Sequence, residues 1–341
     1  MVVEAVLADL AAMTGVPALG VARFDLSGIG DVAVTGLRRA GGAAATLDDF
    51  WHIGSCGKSI TSAMIASVVG AGTLHFTDRL GALLPDGAAS RFAPVTLQEL
   101  LSHRAGLPSN PAWWRLAAYM GLGGDPLAAS ESMAAALLRR APDAPPGTRF
   151  HYSNIGYGFA GVMASRAAGQ SFEDLVRTHV IEPSGMKRAY YGIPPQDGSA
   201  PFEHRRLLGS KWRLVRQGAR AVDDLPIIRP SGSVTCTLGD FAAYGRWQLD
   251  IACGQPNHPV AETHLPVGPP PLAQAEWRYG MGWFVEEDGR RLSHSGSTGG
   301  TFAHLLLRRD LGRGLAFVAN GFDPGWGLPG AAILQRLEQA V

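Results

Sequence analysis

The chain has 341 residues, 46% of them hydrophobic and 17% charged, which is enough apolar material for a full core and too little charge for a disordered chain. Thirty basic residues against 29 acidic ones give a net charge of +1, which argues against a nucleic-acid binder or a polybasic membrane-surface protein. Only three of the basic residues are lysines (Lys58, Lys187 and Lys211), so any motif that requires a lysine has three chances to occur.

The chain opens with Met1-Val2-Val3-Glu4, with no basic n-region, and residues 1–10 read as a short amphipathic helix rather than a signal peptide. The expected location is therefore cytoplasmic as the sequence stands, and periplasmic or secreted if a leader has been removed. No stretch reaches the ~18 apolar residues of a membrane span. Residues 16–24 and 31–38 read as two strands. A helix is expected from near Ser55 to Gly70, and mostly helices over 96–181, punctuated by prolines. Residues 192–230 read as irregular, 237–253 as a helix and 255–271 as a proline-rich loop. Strands are then expected at 279–286, 290–294, 301–309 and 314–319, followed by a helix near 330–339.

Strands at both ends and helices in the middle predict an α+β fold. An antiparallel sheet built from both chain ends and flanked by helices (1–54 with 231–341) would pack against a mainly helical domain (55–230), with the active-site cleft between them. Cys56, Cys236 and Cys253 form neither a CxxC motif nor a disulfide framework; a Cys236–Cys253 bridge is conceivable, and free buried thiols are the expectation.

Several motifs fail. Gly57-Lys58-Ser59 lacks the earlier glycine of a phosphate loop, since that position is His52. Gly28-Ile29-Gly30 leads into a strand, not a helix, so no helix N-terminus awaits a pyrophosphate. The ten histidines show no HExxH spacing, and neither a metal nor another cofactor is expected. No serine sits in G-x-S-x-G.

What remains is Ser55-Cys56-Gly57-Lys58 at the start of an apolar helix. Positions i and i+3 share a helix face, so the amine can approach the hydroxyl and take its proton once burial lowers its pKa. A second S-x-x-K, Ser184 to Lys187, lies between Pro183 and a helix end and reads as a turn. Tyr152-Ser153-Asn154 opens another apolar helix and supplies a phenol and an amide. His294-Ser295-Gly296-Ser297 ends a strand and offers backbone N–H groups of the kind an oxyanion hole needs.

S-x-x-K, Y-x-N and H-x-G in this order resemble the serine β-lactamase and penicillin-binding-protein superfamily, and within it the class C branch. That branch holds class C β-lactamases, D-alanyl-D-alanine carboxypeptidases, D-aminopeptidases and family VIII carboxylesterases. Leu100-Leu101-Ser102-His103-Arg104-Ala105-Gly106-Leu107 is similar to a further family segment, with Ala105 in place of the usual serine. The segments Pro230–Thr235, Tyr279–Trp283 and Val318–Asn320 also resemble family landmarks, so that the likeness spans residues 16–320. The resemblance implies a nucleophilic Ser55, proton transfer by Lys58 and Tyr152, and an oxyanion held by the Ser55 and Ser297 N–H groups. It implies substrate contacts from Asn154, His294, Ser295, Gly296 and Ser297. The expected activity is acyl-enzyme hydrolysis of a small ester or amide, with weak β-lactam turnover as a side activity. A D-alanyl-D-alanine carboxypeptidase, D-aminopeptidase or penicillin-binding protein is the second expectation, and an inactive ligand-binding homologue the third. Trp113, Trp114 and Tyr119 are candidates for an acyl pocket or for ordinary core packing.

Overall fold

The computed structural model describes residues 3–84, 86–111, 125–206, 211–217, 225–269, 276–327 and 331–341. Trp113, Trp114 and Tyr119 lie outside the described residues.

Helix α1 (Val3–Thr14) leads into a hairpin of β1 (Ala18–Asp25) and β2 (Gly28–Gly36). A two-residue strand, β3 (Trp51–His52), and a 3₁₀ turn (Gly54–Cys56) precede α2 (Gly57–Gly70). The middle of the chain contributes α3 (Leu97–Leu101), α4 (Pro126–Leu138) and α5 (Asn154–Ala168), then the short strands β4 (Ala189–Tyr191), β5 (Phe202–Arg205) and β6 (Arg213–Gln217). After β7 (Val234–Cys236) and α6 (Leu238–Gly254) come β8 (Trp277–Tyr279), β9 (Phe284–Glu286), β10 (Arg291–Ser297), β11 (Phe302–Arg308), β12 (Arg313–Ala319) and β13 (Gly321–Phe322); α7 (Ala332–Glu338) follows.

The two ends of the chain meet in one seven-stranded antiparallel sheet, ordered β2-β1-β12-β11-β10-β9-β8. Side chains alternate across a strand, and both faces of this sheet are covered. Leu19 and Val21 of β1, with Leu315 and Phe317 of β12, face α1 and α7. The intervening Ala18, Ala22, Ala316 and Val318 face the larger core, which runs through α2 and α6 to α5. This is the expected α+β architecture.

Three details depart from the sequence expectation. The span 279–286 is two strands, because Gly280–Trp283 turns between them; Gly282 has φ +84°, and a Cβ there would meet Ser59 N at 2.9 Å, so the turn packs on α2. Residues 192–230 are not wholly irregular: β5 and β6 form a hairpin to which β13 adds in parallel. Cys56 and Cys236 are buried free thiols, as expected, but Cys253 is exposed, because it lies in the last turn of α6 away from the core.

α2 is buried on nearly every side, from Gly57 to Ala66. Its buried hydroxyls, Ser59, Thr61 and Ser62, all have hydrogen-bond partners, and the one cation within the helix requires a chemical explanation.

Candidate active site

The nucleophile turn is fixed by glycine. Gly54 adopts φ +53°, and a Cβ there would lie 2.4 Å from Ser297 N; a Cβ on Gly296 would lie 2.0 Å from Ile53 O. Only two glycines let the end of β10 approach the 53–56 turn this closely. Ser55 and the backbone of Ser297 thereby come to one place.

Lys58 is fully buried one helical turn beyond Ser55. Its Nζ lies 3.1 Å from Ser55 Oγ, 2.7 Å from Asn154 Oδ1 and 2.8 Å from Ser231 O. None of these acceptors is a carboxylate. Desolvation without a counter-charge holds the amine well below the ordinary lysine value. The Tyr152 ring centroid is 4.7 Å from Nζ, and the Tyr152 hydroxyl feels Ser55 electrostatically. Burial raises the phenol above its usual pKa, against the lowering effect of the Ser55 contact. Both groups are thus displaced toward their neutral forms.

The other motif residues sit around this centre. Ser153 caps α5, its Oγ accepting from Gly156 N at 3.1 Å, a contact worth about 1 kcal/mol. Asn154 is divided between two partners: Oδ1 faces Lys58, and Nδ2 donates to Asn110 Oδ1 at 2.7 Å. His294 is buried; Nε2 is 3.1 Å from Tyr279 OH and Nδ1 is 2.7 Å from Ser295 O, so both ring nitrogens are engaged. Burial, with the nearby Lys58, lowers its pKa to about 3, and the ring is neutral at pH 7. The partial charge that a solvated histidine would carry near pH 7 is absent, because the ring lies inside the fold. Ser295 Oγ pairs with His304 Nδ1 on β11 at 2.9 Å. That hydroxyl is turned to the neighbouring strand. Ser297 Oγ accepts from Gly299 N at 2.8 Å and stabilises the turn after β10.

This turn is anchored again one residue later. Thr298 Oγ1 accepts from the Thr301 N–H and donates to Glu203 Oε1 at 2.7 Å, and Glu203 is ion-paired with Arg216. The hairpin of β5 and β6 therefore braces the strand end that carries Ser297.

The sequence pattern of the family described as Beta-lactamase matches residues 20–340. The chain belongs to the beta-lactamase family. Among curated relatives, it is 27% identical over 329 residues to penicillin-binding protein 4 of Amycolatopsis lactamdurans, covering 90% of this chain and 81% of that protein. It is 27% identical over 206 residues to the D-alanyl-D-alanine-carboxypeptidase/endopeptidase AmpH of Escherichia coli K12, covering 59% of this chain and 48% of that one. Penicillin-binding protein 4* of Bacillus subtilis is 23% identical, and the match spans 61% of its length. Among solved structures, the octameric penicillin-binding protein homologue from Pyrococcus abyssi superposes with a TM-score of 0.72 at 22% identity, over 94% of this chain and 73% of that one. SurE superposes with a TM-score of 0.76 at 22% identity, over 98% and 73%. These structures share the fold.

Within this serine hydrolase family, the site gathers Ser55, Lys58, Tyr152, Asn154 and the backbone of Ser297, while His294 and Ser295 make their side-chain contacts within the protein. Sequence reasoning missed Asn110, Ser231 and Tyr279 as partners. Ser231 and Tyr279 lie in segments that resemble family landmarks, but nothing in the sequence says which atoms meet Lys58 and His294. Lys187 is exposed and its backbone N–H donates to Asp240 Oδ1 at 2.7 Å, in a turn after a helix closed by left-handed Gly185. Among the described residues no cluster of three or more His, Cys, Asp or Glu could hold a metal ion, and no helix is long and apolar enough to cross a membrane.

Proposed function

We propose that the chain hydrolyses a small carboxylic ester or amide through an acyl-enzyme on Ser55. The observation that carries this reading is the 3.1 Å contact between the buried Lys58 amine and Ser55 Oγ. As an ammonium, Lys58 donates to all three of its partners. As a free amine it keeps two donors for Asn154 Oδ1 and Ser231 O, and its lone pair accepts from the Ser55 hydroxyl. Burial favours the amine, and it favours a protonated Tyr152. This supports Lys58 as the base in acylation and Tyr152 as the group that hands a proton to the departing oxygen or nitrogen. The N–H groups of Ser55 and Ser297 would hold the oxyanion. Asn154 would contact the acyl side chain by exchanging Lys58 or Asn110 for substrate.

A neutral, internally bonded His294 offers no charge to a substrate carboxylate, which favours a neutral ester or amide over a peptide with a free C-terminus. The second reading, a D-alanyl-D-alanine carboxypeptidase, is favoured by what the relatives are called. Intact-mass detection after a fluorophosphonate, followed by rates on p-nitrophenyl esters, a chromogenic cephalosporin and D-alanyl-D-alanine peptides, separates them. One adduct that Ser55→Ala abolishes, with ester turnover leading, is expected. Faster peptide turnover would favour the second reading, and no adduct from a fluorophosphonate or a penicillin would leave a ligand-binding protein.

A further inference from the structure

We propose that His103 is a positioning residue for Tyr152, holding the two residues on either side of it. The inference rests on the reading of Ser55, Lys58 and Tyr152 as the reacting groups. α3 ends at Ser102, and His103 then takes φ +61°, one of two non-glycine residues with positive φ among the described residues. That left-handed turn aims two acceptors at one segment. The His103 carbonyl accepts from the His151 N–H at 2.7 Å, and His103 Nδ1 accepts from the Ser153 N–H at 3.0 Å. Ser153 is extended, with φ −138° and ψ 119°. Fixing the N–H groups of residues i and i+2 in an extended stretch fixes the rotation of the residue between them, here Tyr152.

The ring of His103 completes the support. Its centroid lies 4.2 Å from that of Tyr152, 4.8 Å from Tyr279 and 5.3 Å from Tyr157. Because Nδ1 accepts a backbone N–H, the proton of the neutral imidazole is on Nε2. Nε2 is buried and has no hydrogen-bond partner among the described residues. The ring is therefore held by packing on one side and by a single acceptor on the other. The ring packs on the Tyr152 ring, but Nδ1 is the one side-chain atom of His103 that holds the backbone of this segment, so the acceptor at the γ-branch of the side chain is the feature to test.

The test compares three variants of the full chain. His103→Asn keeps an acceptor on the γ-carbon and tolerates a left-handed backbone. His103→Gln moves the acceptor one bond further out. His103→Leu removes it and keeps the bulk. Two readouts are taken on each: the rate of Ser55 labelling by a fluorophosphonate with kcat and KM on a p-nitrophenyl ester, and amide hydrogen exchange of the peptide spanning residues 148–156. His103→Leu is expected to lower kcat by about 10²-fold with KM little changed, as a ~1 Å misplacement of a proton-transfer group does. Its 148–156 peptide should exchange faster. His103→Asn should restore both readouts toward wild type, and His103→Gln should not. If Asn and Gln behave alike, or if exchange in the Leu variant stays at the wild-type rate, the proposal is overturned. Should the Leu variant not fold, the Asn-against-Gln contrast decides alone. A wild-type chain that takes no label sinks the catalytic reading of Ser55, and the exchange data then decide the anchoring independently.

Discussion

At the scale of single residues, Lys58 is where burial and chemistry coincide. In a helix enclosed by apolar groups, an ammonium bonded only to neutral oxygens is poorly solvated, and the protein responds by lowering its affinity for the proton. A base must be unprotonated to act. The acylation rate is therefore expected to rise with pH through a single ionisation whose midpoint lies below the ordinary lysine value of 10.5, as stopped-flow labelling across pH will record. Lys58→Arg keeps charge and length but cannot release its proton, so acylation should fall by about 10²–10⁴-fold. Lys187→Ala, at an exposed turn, should leave the rate unchanged. Equal loss from Lys58→Ala and Lys187→Ala would mean that the wrong S-x-x-K has been assigned.

At the scale of elements, the site depends on how strand ends and helix starts touch. The first turn before α2 and the last residues of β10 are closer than side chains permit. Gly54→Ala places a Cβ 2.4 Å from Ser297 N at a left-handed φ, so one backbone must retreat. The expected result is a folded protein whose labelling rate drops by about 10²-fold or more, since displacing an oxyanion donor costs on that order; wild-type labelling would show that Ser297 N is not a donor. Asn320, at the end of β12, shows the same dependence for stability. Its Oδ1 accepts from Ala18 N at 2.8 Å, and its Nδ2 donates to Leu37 O and Arg38 O, tying β1 and the end of β2 to the last long strand. Asn320→Ala strands the buried Ala18 N–H and should cost about 1–3 kcal/mol in urea unfolding, with the labelling rate per folded molecule preserved. The S-x-x-K and Y-x-N elements were legible in the sequence because each is local: three residues of helix, or a cap followed by a helix. The hairpin of β5 and β6 was not. Gly209-Ser210 between them is a turn signal, but the strands themselves are short and rich in arginine, and they are strands because β13 and the Thr298 turn give them a partner.

For the whole molecule, the histidines set the acid limit. His52 and His304 are held at about 4, and His264 and His294 at about 3, each mainly by burial. All four are neutral in the folded protein at pH 5, whereas the unfolded chain, with a histidine pKa near 6.5, protonates them. Unfolding then takes up protons, so stability is fully present above pH 6.5 and is lost progressively as pH falls toward 4. The unfolding midpoint should drop across that interval with proton uptake approaching four from these groups. A flat profile between pH 6.5 and 4.5 would show that the rings are solvated.

The sequence by itself determined the sheet from both chain ends, the family, and the candidates Ser55, Lys58, Tyr152 and Asn154, because periodicity and short motifs are local properties of a chain. Tertiary structure alone decided that His294 is neutral and bonded inward, that Lys58 shares Asn154 with Asn110, and that His103 stands behind Tyr152. Those facts depend on desolvation and on atoms distant in sequence: 96 positions separate Lys58 from Asn154, and 50 separate His103 from Ser153. Charge state and orientation are properties of an enclosed space, and the space exists only once the chain has closed around it.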